Sequence, residues 1–244
     1  MHALVVYAHP EPSSFTGAMK DRACETLVGL GHTVQVSDLY GEQFNPVAGR
    51  HDFLTAADHT RLHYQQEQLW AAQHQGFAPD LQREQQRVQA ADLMLFVYPL
   101  WWGGMPAILK GWFDRVMAYG FAYADGQRFD SGFFKGRHAM VGVSTGGTAE
   151  RFSTEGVYGP VEQLLYPHRR TMLEYLGLAV APAFVAYATP RVGASTRATY
   201  LSDWAQAVTT WVAGVPAGSG SARVAGGAGH GGAAGSTTHW ASDN

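Results

Sequence analysis

"ALVVYAHPEPSSFTG", residues 3–17, opens on a continuous apolar run and then turns abruptly polar. A short run rich in branched side chains suits a strand buried on both faces, as in a parallel sheet. Two prolines mark a turn over residues 9–14, and Ser14 has the side chain of a helix N-cap. A helix is expected over residues 16–30, with Gly31 where it should stop. A buried strand that feeds a helix through a tight turn is the first unit of an alternating α/β chain.

The pattern recurs outward from this unit. Residues 33–38 alternate as a second strand. Residues 39–77 are polar and weakly periodic, expected as loops with a short helix near 61–73, and a polar-faced helix follows over 80–91. Residues 93–98 read as the third strand, stopped by Pro99. A loop spans 101–104, and Pro106 takes the first position of a helix over 107–117. Residues 119–136 carry glycines and aromatics without a period and read as an irregular excursion. Strands are expected at 138–144 and 180–187, helices at 161–176 and 197–213. The alternation predicts an α/β fold, a doubly wound five-stranded parallel sheet with helices on both faces. From Gly214 the composition shifts to Gly, Ala, Ser and Thr, so residues 1–213 form the expected catalytic domain and 214–244 an expected disordered tail. His230 and His239 in that tail read as solvated residues, not metal ligands.

Composition excludes several classes. A net charge of −3 and the lack of a Lys/Arg run give no footprint for nucleic acid or acidic membranes. No apolar run approaches the ~20 residues that span a bilayer, and the apolar N-terminus is short and lacks a cationic lead. Cys24 is the one cysteine and falls in a helix, so it reads as a small packed residue in a chain expected to be cytoplasmic. With 15% charged and 46% hydrophobic residues, the chain favours a large core and an apolar surface that a partner covers.

In a doubly wound sheet, ligands bind at the carboxyl ends of the strands. Three loops there invite a chemical reading. Residues 9–17 lead to a helix N-terminus whose free N–H groups suit a phosphate; Ser13, Ser14, Thr16 and His9 add donors, and an ordinary capped turn is the alternative. Neither GxGxxG nor GxxxxGK[ST] is present. Residues 99–106, "PLWWGGMP", place two adjacent tryptophans where both cannot enter one core; they suit a wall for a planar cofactor, with a packing or dimer contact as the alternative. Residues 144–148, "STGGT", offer glycine-flanked N–H groups for the pyrimidine edge of a flavin, or form a plain turn.

These loops, with "VVYAHPEPSSFTGAMK", "VSDLYGEQFNP", "AADLMLFVYPLWWGGMPAILKGWFDRVMAYGFAY" and "STGGTAE", resemble the NAD(P)H:quinone dehydrogenase (DT-diaphorase-like) family over residues 3–211. The resemblance implies a flavodoxin-like homodimer with active sites at the subunit interface. It implies that His9, Phe15, Thr16 and Ala18 hold a flavin pyrophosphate, that Pro99, Leu100, Trp101 and Trp102 wall the isoalloxazine, and that Ser144, Thr145, Gly146 and Gly147 bond its ring. His63 and Arg197 match contacts to the outer part of FAD; Tyr123 and Tyr175 match aromatics of the substrate pocket.

The chain departs from that pattern in places. Phe152 and Tyr158 stand where animal members place a relay Tyr and His. Asp125 replaces a second pocket tyrosine, and Gly103 stands where an aromatic can stand. Tyr158, with Gly146 and Gly147, is the expected holder of charge on the reduced flavin. The implied activity is two-electron, ping-pong hydride transfer from NADPH or NADH through FAD to a quinone, with FMN as the alternative flavin. Rival readings are a one-electron flavodoxin carrier, a regulatory subunit of a cation-efflux system, and an azo- or nitro-reductase.

Overall fold

The computed structural model describes residues 1–216; of the expected tail at 214–244, all but the first three residues lie outside the described residues. The central sheet is parallel throughout. Its strands are β1 (His2–Tyr7), β2 (Thr33–Asp38), β3 (Leu93–Pro99), β4 (His138–Ser144), β5 (Ala179–Val180) and β6 (Phe184–Ala186), in the order β2-β1-β3-β4, with β5 and β6 both paired to β4. Val5 lies opposite Val36 on one side and Leu95 on the other, and Leu95 lies opposite Met140.

Successive residues of β1 enter two different cores, which is what helices on both faces demand. Ala3, Val5 and Tyr7 pack with Met19 and Leu27 of α1 (Phe15–Gly29) and with Trp204 and Val208 of α6 (Ala194–Ala213). Leu4 and Val6 pack with Ala71 of α2 (Tyr64–His74), Leu81 of α3 (Pro79–Ala90), Trp112 of α4 (Ala107–Val116) and Leu165 of α5 (Val161–Tyr166). Cys24 is half-buried against the α1 side, where burial pushes its thiol up to about 11 and so disfavours the thiolate.

Four expectations are corrected. The fifth strand is two pieces, because Pro182 lies between β5 and β6 and has no N–H to give the ladder. The helix expected over 161–176 is α-helical only as far as Tyr166; Pro167 then forbids the next i→i−4 bond, and the chain widens to a π-turn, Pro167–Leu173, and tightens to a 3-10 turn, Glu174–Leu176. Pro106 caps α4 and is not its first residue, while α6 starts three residues before Arg197, which places that arginine in its first turn.

The long segment between β2 and α2 is fastened by α4. Arg115, 1% exposed, donates to Asp52 Oδ1 from Nε (2.9 Å) and Nη2 (2.6 Å), to Asp80 Oδ2 (3.1 Å) and to the Asn45 carbonyl; Tyr64 also bonds Asp52. A buried pair of this kind is destabilising by roughly 3–5 kcal/mol when one partner is removed. Trp112 Nε1 donates to buried Glu84 (2.8 Å). Gly111 lets the helix touch Pro46: a Cβ there would sit 2.2 Å from the Pro46 carbonyl oxygen. The distinctive segment "PAILKGWFDRV" thus carries the fasteners of a region that would otherwise be loose. Gly111→Ala is expected to destabilise the protein by about 3 kcal/mol, the upper end for overpacking, read as a fall in denaturant midpoint; an unchanged midpoint would contradict this seating.

Candidate functional site

The strand order reverses direction at β1 and β3, and a cavity of about 780 Å³ opens at their carboxyl ends. It is lined by His9, Ser13, Ser14, Phe15 and Thr16 after β1, by Pro99, Leu100, Trp101 and Trp102 after β3, and by Ser144, Thr145 and Gly146 after β4; Thr189, Pro190 and Arg197 follow β6. The volume suits a nucleotide-sized cofactor.

The first loop presents a helix N-terminus. Ser14 caps α1 by accepting from Gly17 N–H (3.1 Å), and Ala18 N–H is taken by the Ser14 carbonyl (3.0 Å). Among the described residues, Phe15 and Thr16 N–H have no partner, so free donors and the positive end of α1 face the cavity together. Ser13 is turned aside: its N–H and hydroxyl both bond the Glu11 carboxylate (2.9 and 2.6 Å), which holds that exposed carboxyl below its ordinary range. Burial outweighs Glu11 and lowers the His9 imidazole, so the ring is neutral near pH 7. Its Nδ1 lies 3.0 Å from the Glu11 N–H and 3.1 Å from the Glu11 carbonyl oxygen, accepting from the first in one tautomer and donating to the second in the other. The Thr16 and Ser144 hydroxyls bond each other (2.7 Å) under the cavity floor, so only one of their two protons remains for a ligand.

The second loop is a tight turn. Trp101 and Gly104 exchange both backbone bonds (2.9 Å each), and the two residues between them have positive φ, 51° at Trp102 and 74° at Gly103. Glycine takes that geometry freely; a tryptophan does so at a cost of order 1–3 kcal/mol. The result is a Trp102 side chain held fully in solvent at the rim, with Trp101 against His9 (ring centroids 5.8 Å). Under the turn, the buried Tyr98 hydroxyl bonds His168 Nδ1 (2.7 Å).

In the third loop, backbone direction decides the chemistry. Thr145 C=O accepts from Thr189 N–H (3.0 Å), Gly146 C=O from the Arg191 guanidinium, and Gly147 C=O from Ala188 N–H (2.8 Å) and the Thr145 hydroxyl (2.7 Å). In a planar trans peptide the next N–H points opposite to the carbonyl. Gly146, Gly147 and Thr148 N–H therefore point away from the chain after β6, and among the described residues none of them has a partner. They form a row of donors where negative charge can be held. Gly147 has no room for a side chain: a Cβ would lie 2.7 Å from Phe152 and 3.3 Å from Tyr158, whose rings pack 5.0 Å apart.

Most of the residues expected from the sequence meet in this one cavity. Some do not line it. Ala18 is absent from the lining, its N–H already bonded to the Ser14 carbonyl; Gly147, Phe152 and half-exposed Tyr158 stand beside it. His63, exposed at the start of α2, and Tyr123, Asp125 and Tyr175 also lie outside the lining. Tyr123 and Tyr175 pack against each other (5.9 Å), and Tyr175 against Phe129 (5.5 Å), in an aromatic cluster of their own. Sequence reasoning missed Thr189, Pro190 and Arg191; the signal was present, since they too follow a strand at its carboxyl end. No group of metal-ligating side chains occurs among the described residues, and no helix there is long and apolar enough to cross a membrane.

A family profile described as a flavodoxin-like fold (Flavodoxin_2) matches residues 1–211. The chain is 39% identical over 208 residues to a ribosyldihydronicotinamide dehydrogenase [quinone] of Pongo abelii, covering 85% of this chain and 90% of that one. It is 36% identical over 209 residues to NAD(P)H dehydrogenase [quinone] 1 of Rattus norvegicus, covering 85% and 76%. Among solved structures it superposes on an NAD(P)H:quinone oxidoreductase of Methanothermobacter marburgensis with a TM-score of 0.68 at 28% identity, covering 87% and 97%. Gly147→Ala should push Phe152 and shift the donor row, lowering affinity for the expected flavin at least about tenfold, ~1.4 kcal/mol. Fluorescence titration measures it, and wild-type affinity would contradict the crowding.

Proposed function

The chain belongs to the NAD(P)H:quinone dehydrogenase family of flavodoxin-like proteins, and from that premise we propose that it reduces quinones with NAD(P)H through a bound FAD, in a two-electron, ping-pong cycle. The observation that carries the reading is the set of unpaired N–H groups on Phe15, Thr16 and Gly146, residues that line one cavity, with those of Gly147 and Thr148 continuing the row beside it; the first two suit a pyrophosphate and the last three a pyrimidine edge. Bound flavin would supply the chemistry, accepting hydride from the nicotinamide and delivering it to the quinone.

The chain's own residues do the rest. Phe15 and Thr16 N–H, with the α1 dipole, would hold the pyrophosphate, and the His9 imidazole, in the tautomer that carries its proton on Nε2, would add a neutral donor. Pro99, Leu100, Trp101 and Trp102 would wall the ring and exclude water. Gly146, Gly147 and Thr148 N–H would hold the charge that builds on the pyrimidine edge, with Tyr158 as a further donor beside them. Arg197 favours FAD over FMN: Nε and Nη2 are fixed on the Val192 carbonyl (3.1 and 3.0 Å), which leaves Nη1 for the outer phosphate or adenosine.

Homodimerisation belongs to the same proposal. His63, Tyr123, Asp125 and Tyr175 sit apart from this chain's cavity, so a second copy would bring them to it. Trp102, Val157, Tyr158 and Tyr166 are apolar or aromatic side chains left exposed, the surface such a partner covers. Residues 1–213 are taken as the working domain, and a cytoplasmic setting fits the supply of NAD(P)H.

Steady-state assays should show NADH or NADPH oxidised in equal amount to menadione reduced; turnover only with a redox-protein acceptor would overturn the reading. Arg197→Ala is expected to weaken FAD by roughly 10–100-fold, the size of a charged hydrogen bond, while changing FMN affinity little. Equal losses for both flavins would contradict the FAD assignment.

A further inference from the structure

One of the bonds that orient the 145–147 loop comes from a charged group. The Arg191 guanidinium donates through Nη1 to the Gly146 carbonyl oxygen, and a Cβ on Gly146 would lie 3.6 Å from that same nitrogen. Among the described residues, Arg191 is the only charged side chain hydrogen-bonded to residues 144–148, and no carboxylate forms an ion pair with it. It is exposed, and its own backbone is set by Arg191 N–H bonding the Ala188 carbonyl (2.8 Å).

The amide joining Gly146 to Gly147 is one resonance unit. Its carbonyl end faces Arg191, and its N–H end faces the opposite way, toward the cavity edge. A cation on the carbonyl draws electron density through the unit and makes the N–H a stronger donor. The rings packed against Gly147, Phe152 and Tyr158, bring no charge of their own. We propose that Arg191 is a positioning residue that polarises the Gly146–Gly147 peptide, so that the Gly147 N–H holds the reduced form of a bound flavin more tightly than the oxidised form. The proposal rests on the flavin reading above. It makes Arg191 a tuner of reduction potential that never touches the flavin, distinct from Arg197, whose guanidinium braces Val192 and reaches outward.

The test compares wild type, Arg191→Gln and Arg191→Lys, each loaded with FAD, by anaerobic dye-coupled titration of the midpoint potential, with oxidised-FAD affinity measured in parallel. Glutamine keeps a donor and removes the charge; lysine keeps the charge and loses the planar fork. Arg191→Gln should bind oxidised FAD as wild type does and reduced FAD about tenfold less tightly, a potential ~30 mV more negative for a two-electron couple. Arg191→Lys should recover most of that shift. A wild-type potential in Arg191→Gln would overturn the proposal, as would an equal fall in both variants, which would make the contact one of shape. Loss of oxidised FAD from folded Arg191→Gln would also overturn it, by making the residue an anchor. A wild-type protein that takes up no flavin would fail the parent reading and this one together; a flavin-loaded variant with an unshifted potential fails this one alone.

Discussion

The carbonyl oxygens of Thr145, Gly146 and Gly147 are held by the segment that leaves β6, through Thr189 and Ala188 N–H and the Arg191 side chain. The rest of the site depends on this. Peptide planarity converts fixed carbonyls into fixed N–H groups on the other side, so the loop arrives with its donors already aimed and no reorganisation needed when charge appears. The opposite wall follows the same economy. Ser14 takes the Gly17 N–H and its carbonyl takes that of Ala18, which leaves Phe15 and Thr16 as free donors. The Thr16–Ser144 hydroxyl bond ties the two walls together across β1 and β4.

Rigidity at the sheet end is matched by fastening farther out. The segment after β2 has little periodicity and no sheet partner, and it is held by a buried charge, Arg115, on Asp52 and Asp80, with Gly111 against Pro46. This fixes the start of α2 and so the position of His63. The Tyr123–Tyr175 cluster, which the proposal assigns to the outer part of the site, belongs to a different stretch of the chain and is held by its own aromatic packing with Phe129 and Tyr119.

Much of this was legible in the sequence. The apolar runs at residues 3–8 and 93–98 are β1 and β3 nearly to the residue, because a strand buried on both faces leaves a continuous signal. Ser14 and Gly31 marked the ends of α1 as expected, and the paired tryptophans marked a turn that keeps Trp102 out of the core. Proline at 182 and 167 was visible, but its effect depends on context: one divides the last strand, the other converts a helix into a π-turn. The role of Arg191 was not legible, since nothing in "TPRVG" announces that its guanidinium reaches a carbonyl 45 residues away in sequence. The separation of Tyr123, Asp125 and Tyr175 from the cavity was equally hidden, because it is a property of the assembled surface.

Amide hydrogen exchange on FAD addition tests the central claim most directly. The account predicts new protection at Phe15, Thr16, Gly146, Gly147 and Thr148, whose N–H groups are unpaired in the free chain, and little change at Gly17 and Ala18, whose N–H groups are already bonded. Tight FAD binding that leaves exchange at Gly146, Gly147 and Thr148 as it was would contradict it.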